Sequence, residues 1–143
     1  MYDDPVKVFL EISLNQIEFF KKLPKHIKNE WIFNMKPKQL ERGAFLYRMN
    51  SDSQEMYVLQ SGEVEILHYL PDGEKKYKQR EFIIERLYRH SVINHNSFIM
   101  NDGIDTDARC KTSVSLYYID INTVEQLRSK HNELHEALIQ QEY

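Results

Sequence analysis

Residues 55–70, EMYVLQSGEVEILHYL, decide the fold class. Residues 56–59 and 63–70 are short runs rich in the branched and aromatic side chains that favour β-strands. Gly62 lies between these runs, where a tight turn requires a positive φ, so the stretch predicts a hairpin. Alternate residues of the second run share one face of its strand: Val64, Ile66, His68 and Leu70.

Further strand-like runs lie on both sides of this stretch, at residues 43–49, 77–88 and 112–119. Pro71-Asp72-Gly73 separates the strand ending at Leu70 from the next one and predicts a second hairpin. The chain therefore contains seven or eight short strands with turns between them, a pattern typical of a sandwich or jelly-roll barrel.

Amphipathic helical patterns flank the strands. Between residues 5 and 31 the apolar side chains recur in steps of three to five, which predicts two or three short helices. A break is expected near Leu23, because Pro24 disfavours helical geometry in the residue before it and suits the start of a new helix.

A C-terminal helix is predicted to follow the last strand. Residues 122–125, Asn-Thr-Val-Glu, resemble a capping box and indicate where this helix begins. Beyond that point one stripe of residues recurs at helical spacing: Val124, Leu127, His131, Leu134 and Leu138. The stripe is expected to pack on the sheet, and a seam for a partner helix is the alternative.

Composition excludes several classes of protein. The chain has 143 residues, 41% of them hydrophobic, which suits one domain, and its mixed charges sum to only -3. No general attraction to nucleic acid or to anionic membranes follows, and no apolar run is long enough for direct membrane insertion. The single cysteine, Cys110, and the lack of a basic-then-apolar start predict a reducing, cytoplasmic setting and a buried thiol.

The order of turn and strand residues also follows a known pattern. Its members are Gly43, Leu46, Asn50-Ser51, Tyr57-Val58-Leu59 and Ser61-Gly62-Glu63-Val64. In this order it resembles the cyclic-nucleotide-binding domain of kinase regulatory subunits, bacterial activators and nucleotide-gated channels. Asn50 stands where the family usually has a glycine, and asparagine readily accepts left-handed backbone angles.

The resemblance implies a mainly β fold with flanking helices: a jelly-roll-like β-roll with N-terminal helices and a C-terminal hinge or lid helix. The whole chain, residues 1–143, is then one domain of this type. Residues 1–36 form its helical segment, residues 37–120 the roll with a phosphate-binding cassette at 91–109, and residues 121–143 the C-terminal helix.

The resemblance also implies a binding site. Family members hold the cyclic phosphate with a glycine-glutamate pair and an arginine nine residues after the glutamate. Aligned on the neighbouring strands, the ligand-binding positions of this chain are Asn94, His95, Asn96, Ser97, Ile104, Asp105, Thr106 and Arg109. Asn94-His95 then replaces the pair and Ile104 replaces the arginine.

These replacements predict weak or no binding of cAMP or cGMP. Ile104 cannot pair with a phosphate, and a nearby carboxylate repels one by about 1 kcal/mol at roughly 4 Å in water. Three carboxylates are close in sequence: Asp102, Asp105 and Asp107. As alternatives, Arg109 swings into the pocket while His95 contacts the ribose, or Arg109 is an ordinary strand residue facing solvent.

Other chemistries find less support in the sequence. Residues 101–107 resemble a calcium loop but lack its glutamate at position twelve. Jelly-roll metalloenzymes bind a metal through two histidines one residue apart plus a distant carboxylate, whereas His90 and His95 lie five positions apart. Four basic residues alternate with Tyr77 on what is expected to be a solvated strand edge: Lys75, Lys76, Lys78 and Arg80. No catalytic residues, no metal site and no enzyme activity are predicted, since no nucleophile elbow or Walker loop is present.

The predicted function is that of a non-enzymatic regulatory domain. Residues 82–94 resemble the cytoplasmic tails of cation channels, so the expected partners are other domains or subunits of a larger, channel-like protein that can be embedded in a membrane. Two alternatives stay open: a cyclic-nucleotide sensor that uses altered contacts, and a purely structural interaction module.

Overall fold

The computed structural model describes residues 4–52, 54–72, 75–95 and 104–141. Three short helices open the chain: α1 (Pro5–Leu14), α2 (Glu18–Lys21) and α3 (Lys25–Phe33). Asp4 caps α1 by accepting a hydrogen bond from the Val6 N–H at 2.9 Å. Pro24 is the residue that precedes α3, so the predicted break near Leu23 is confirmed.

Eight strands are described in the roll. Their bounds are β1 (Lys36–Leu40), β2 (Phe45–Tyr47), β3 (Glu55–Ser61), β4 (Val64–Asp72), β5 (Lys75–Leu87), β6 (Val92–Ile93), β7 (Asp107–Cys110) and β8 (Val114–Asp120). They form two four-stranded antiparallel sheets, the first in the order β1-β8-β3-β6 and the second in the order β2-β7-β4-β5. The predicted β-roll with flanking helices is confirmed.

The turn at Gly62 is not a hairpin, contrary to the prediction. Gly62 does adopt a positive φ of 93°, but β3 pairs with β8 and β6, whereas β4 pairs with β5 and β7. The turn therefore passes the chain from the first sheet to the second. A Cβ atom at Gly62 would lie 2.4 Å from the Ser113 carbonyl oxygen, so this close contact admits only glycine.

The second predicted hairpin is present, since β4 and β5 pair directly with Leu70 opposite Arg80. Gly73, to which the prediction assigned this turn, lies outside the described residues.

Strand β3 of the first sheet is buried on both faces, which explains the unbroken apolar run at residues 56–59. Met56 and Val58 face a core formed with the helices, while Tyr57 and Leu59 face the interior of the roll. Cys110 lies in the interior and is 1% exposed, so its predicted burial is confirmed.

Two helices close the chain, although the sequence predicted one: α4 (Ile121–Lys130) and α5 (Asn132–Gln141). Extended backbone at His131 separates them. The cap of α4 is Asp120 and not Asn122, because the Asp120 carboxylate accepts from the Thr123 N–H at 2.8 Å. Within the described residues, no helix has the length and apolar character that crossing a bilayer requires.

The apolar residues of the predicted stripe are buried, but their partners include more than the sheet. Val124, Leu127, Leu134 and Leu138 share one core with apolar side chains of α1, α2 and α3 and with Met56, Val58 and Ile119. The C-terminal helices are thus packed against the N-terminal helices as well as against the first sheet.

Candidate functional site

An open cavity of about 460 Å³ lies on the inner side of the roll. This volume is in the range of sites for small ligands. Four of the predicted positions line it: Asn94, His95, Asp105 and Thr106. The other described lining residues were missed from the sequence: Tyr47, Ile66, Glu85, Leu87, Val92 and Ile93. Predicted positions Asn96 and Ser97 lie outside the described residues.

Asn94 lies in the cassette with a backbone conformation that few residues tolerate. Its φ is 69°, in the left-handed region that glycine and asparagine accept most readily. Its side-chain amide donates to the Glu55 carbonyl oxygen at 2.8 Å. This bond ties the cassette to β3 and uses one amide hydrogen that could otherwise meet a ligand.

His95 contributes no positive charge to the cavity at neutral pH. Burial lowers the pKa of its imidazole below the ordinary value, and a hydrogen bond with the Val92 backbone only partly offsets this effect. Its Nδ1 atom is buried and has no hydrogen-bond partner within the described part of the chain.

The charged residues that line the cavity are acidic. Glu85 lies on β5 opposite Ile66 of β4, and Asp105 is exposed beside Thr106. Burial raises the pKa of Tyr47, a hydrogen bond with Thr106 opposes this rise, and the negative charges of Asp105, Glu85 and Asp107 add to it. No lysine or arginine occurs anywhere in the sequence between His90 and Ala108.

Ile104 lies near this cavity in sequence but does not line it. Its side chain is 6% exposed, and its carbonyl oxygen accepts from the Asn50 N–H at 2.9 Å. Asn50 has a φ of 65°, which agrees with the prediction that it replaces a glycine in a left-handed turn. An aliphatic residue at position 104 therefore serves packing.

Arg109 lies on the outer face of the second sheet. Its guanidinium donates to Glu81 at 2.7 Å and to Glu65 at 3.3 Å. Arg109 is paired across the strands with Glu65, while the next pair, Ala108 and Ile66, faces the interior. Because side chains alternate along a strand, Arg109 points away from the cavity. It is also not a solvated strand residue, since two carboxylates hold it.

Asp107 is likewise on the outer face and takes no part in the cavity. It is 1% exposed and accepts from the Met49 N–H at 2.6 Å, the Tyr69 hydroxyl at 2.5 Å and the Arg48 Nε at 3.2 Å. Burial raises the pKa of this carboxyl, but the hydrogen bonds and the Arg48 charge together lower it below the ordinary value. Because three donors already occupy its carboxylate oxygens and it does not line the cavity, Asp107 does not act as a ligand of the calcium loop that was considered.

The histidines considered as a metal pair have separate surroundings. His90 Nδ1 lies 2.8 Å from the Ser13 hydroxyl of α1, and its ring lies 4.7 Å from that of Phe9, whereas His95 lines the cavity. The basic residues considered as a nucleic-acid patch lie on β5, an edge strand. Arg80 is exposed, and its guanidinium lies over the Phe82 ring. The side chains of residues 70–79 are not among those that the structure describes.

Residues 37–131, well over half of the chain, match the family described as the cyclic nucleotide-binding domain. The chain belongs to this family. The resemblance inferred from the sequence is thereby confirmed. Domains of this family are regulatory and non-catalytic modules. No curated protein matches the sequence closely enough to count as a relative.

Solved structures share the fold at low sequence identity. The regulatory domain of Toxoplasma gondii protein kinase A with cAMP has a TM-score of 0.73 and 21% identity, with 89% of this chain and 46% of that chain covered. The N-terminal domain of a Streptomyces coelicolor transcriptional regulator has a TM-score of 0.75 and 19% identity, covering 90% and 88%.

A third similar structure is the regulatory subunit of a cAMP-independent protein kinase A from Trypanosoma brucei, with a TM-score of 0.66 and 16% identity, covering 94% and 46%. The chain spans less than half the length of each of the two kinase regulatory chains named above.

Proposed function

We propose that this protein is a regulatory domain of the cyclic-nucleotide-binding family whose cavity does not bind cAMP or cGMP. The observation that carries the proposal is the distribution of charge around the second sheet. Glu85 and Asp105 line the cavity, while Arg109 is on the outer face and paired with Glu65 and Glu81.

Two effects act against a cyclic phosphate in this cavity. Among the described residues, no lysine or arginine lines the cavity to pair with the anion. Charge-assisted hydrogen bonds of that kind are among the strongest in proteins. Each carboxylate within roughly 4 Å would add about 1 kcal/mol of repulsion in water, and more where water is excluded. The neutral imidazole of His95 offsets neither effect.

The proposed mode of regulation uses the helices that flank the roll. The C-terminal helices α4 and α5 share a core with the N-terminal helices α1, α2 and α3 and with the first sheet. A partner that binds the N-terminal group of helices would therefore change the position of the C-terminal group, and the reverse. The similar Trypanosoma structure is called cAMP-independent, which supports a regulatory role for this fold without that nucleotide.

The proposed partners are other domains or subunits of a larger protein in the cytoplasm, where the unpaired thiol of Cys110 stays reduced. A cation-channel parent rests on the resemblance of residues 82–94 alone. The similar structures are kinase regulatory subunits and transcriptional regulators, so these kinds of parent enter the proposal beside the channel.

Thermal unfolding in the presence of nucleotide tests the proposal. A ligand that binds only the native state at 100 times its dissociation constant adds about 2.7 kcal/mol of stability. We expect no shift with cAMP or cGMP up to millimolar concentration. A shift at micromolar nucleotide would refute the proposal and establish a sensor with altered contacts.

A charge-reversal variant tests the stated cause. Replacing the cavity carboxylates, Glu85→Gln with Asp105→Arg, changes the local charge from -2 to +1 and should allow measurable nucleotide binding. The matched control, Glu41→Gln with Glu136→Arg, makes the same change in net charge on exposed residues outside the cavity and should not allow binding. Equal binding by both variants would mean that nonspecific attraction is responsible.

A further inference from the structure

A cluster of potential metal ligands lies far from the cavity, where α3 meets the junction of α4 and α5. It consists of His26, His131 and Glu133, whose ligand atoms all lie within 4.8 Å of one another. His26 is in the first turn of α3, His131 separates α4 from α5, and Glu133 is in the first turn of α5. Residues more than 100 positions apart in sequence are thus brought together by the fold.

Two imidazoles and a carboxylate form a ligand set that suits Zn²⁺ and the neighbouring first-row metals. In a tetrahedral site with bonds of about 2.0–2.1 Å, ligand atoms are roughly 3.4 Å apart. Closing from 4.8 Å requires small side-chain rotations, and His26 and Glu133 are exposed. The ring centroids of His26 and His131 are already only 5.7 Å apart. A fourth position would remain for water.

A neighbouring carboxylate already orients one of the imidazoles. Glu30, one turn after His26 on α3, contacts His131 Nε2 and accepts from Lys130 Nζ at 2.6 Å. Metal-bound histidines commonly donate their second nitrogen to such a carboxylate, which leaves Nδ1 of His131 for a metal.

We propose that His26, His131 and Glu133 form a binding site for a divalent transition-metal ion such as Zn²⁺, with Glu30 as a positioning residue. The ion would link the first turn of α3 to the first turn of α5. Since these helices belong to the N-terminal and C-terminal groups, the metal would fix one group against the other. Metal binding would thus control the same helices that the proposed regulation uses, but it does not depend on whether the cavity is empty of nucleotide.

The test is titration of the full chain, free of any histidine tag, with Co²⁺ and Zn²⁺. We expect one Co²⁺ per chain with the intense visible absorption of a four-coordinate site, and a rise in melting temperature with Zn²⁺ that EDTA reverses. Zn²⁺ should also slow hydrogen exchange of the α5 amides, because the ion ties this helix down.

The variants separate a built site from adventitious binding. His26→Ala and Glu133→Gln should abolish the Co²⁺ absorption and the Zn²⁺ shift while keeping the far-ultraviolet circular dichroism of the metal-free protein. Glu30→Gln should weaken Zn²⁺ binding by about 10–100-fold, as is usual for a group that orients a ligand. His135→Ala, one turn further along α5 and bonded to Arg128, is the matched control and should retain both signals.

Three results would overturn the proposal. They are the lack of any Co²⁺ absorption or Zn²⁺ shift in the unaltered chain, retention of both by His26→Ala, and Zn²⁺ binding that leaves α5 exchange unchanged. Nucleotide titration of the same variants keeps the two proposals distinct, since none of these residues lines the cavity.

Discussion

The inner and outer faces of the second sheet hold their charges in opposite ways. On the outer face, Arg109 is paired with Glu65 and Glu81, and the buried carboxylate of Asp107 is met by three donors. On the inner face, Glu85 and Asp105 line a cavity to which the described residues bring no positive charge. One face is electrostatically satisfied within the chain, whereas the other is not.

The difference arises from strand parity. Glu65 pairs with Arg109 and Ile66 with Ala108, so consecutive residues of β4 and β7 point to opposite faces. A register slip of one residue would place Arg109 in the cavity and restore a cation there. Phosphate binding by this domain therefore depends more on which face of the sheet a basic side chain occupies than on whether one is close in sequence.

The largest expected effect comes from removing the Asp107 carboxylate, the hydrogen-bond acceptor on the outer face. Asp107→Ala should lower the unfolding free energy by about 2–4 kcal/mol, because the Met49 N–H, the Tyr69 hydroxyl and the Arg48 Nε would each lose their hydrogen-bond acceptor. Asp105→Ala, its exposed counterpart at the cavity, should change stability little. Denaturant unfolding of both variants measures the contrast, and equal losses would contradict it.

Lowering the pH tests the same contrast between Asp107 and Asp105 without removing a side chain. Because the pKa of Asp107 is lower in the folded protein than in the unfolded chain, its stabilisation is complete above an ordinary aspartate pKa of about 3.9. It is then lost as the pH falls through the folded value, with at most about 1.4 kcal/mol per pH unit for this one proton.

Unfolding free energies measured between pH 2 and 6 check this slope. Asp107→Asn should make it shallower, although some slope remains because the pKa of Asp120, the cap of α4, is lowered as well by its hydrogen bond from Thr123. Asp105→Asn should leave the slope as it is. A steep acid limb that survives in Asp107→Asn would assign the effect to other carboxyls.

The smallest expected effect is on the pKa values of two tyrosines, Tyr47 on the inner side of the second sheet and Tyr69 on its outer side. Asp105→Asn should lower the pKa of Tyr47 on the inner side, yet keep it above the ordinary value because burial is the larger cause. Glu81→Gln should lower the pKa of Tyr69 on the outer side, where the hydrogen bond to Asp107 remains the main cause of its rise. Ring-carbon NMR titration resolves both, and crossed responses would disprove the assignment of faces.

Local patterns predicted much of the fold. The positive φ at Gly62 and Asn50, the break before α3 and the burial of Cys110 follow from the chemistry of single residues or short runs, and the structure agrees with each. The single C-terminal helix was wrong because the stripe through His131 continues across a residue with extended backbone. Helical spacing alone does not reveal such a break.

The candidate site was harder to predict. Asn94, His95, Asp105 and Thr106 were found because they lie in one cassette, which a resemblance can align along the sequence. Glu85 and Tyr47 were missed because they come from strands that reach the cavity only through sheet pairing. Asp107 was placed with the wrong group for the same reason, since its face depends on the register of β7 with β4.

The sequence by itself determined most of the strands, the positions of the turns, the placement of helices on both sides of the roll and the lack of any lysine or arginine between His90 and Ala108, because these depend on side-chain type and short-range spacing. Only the tertiary structure decided that Gly62 joins two sheets, that Arg109 faces outward and that His26 meets His131. Those outcomes depend on pairings between distant strands and helices, and the choice among such pairings follows from burying the whole core at once and not from any local run of residues.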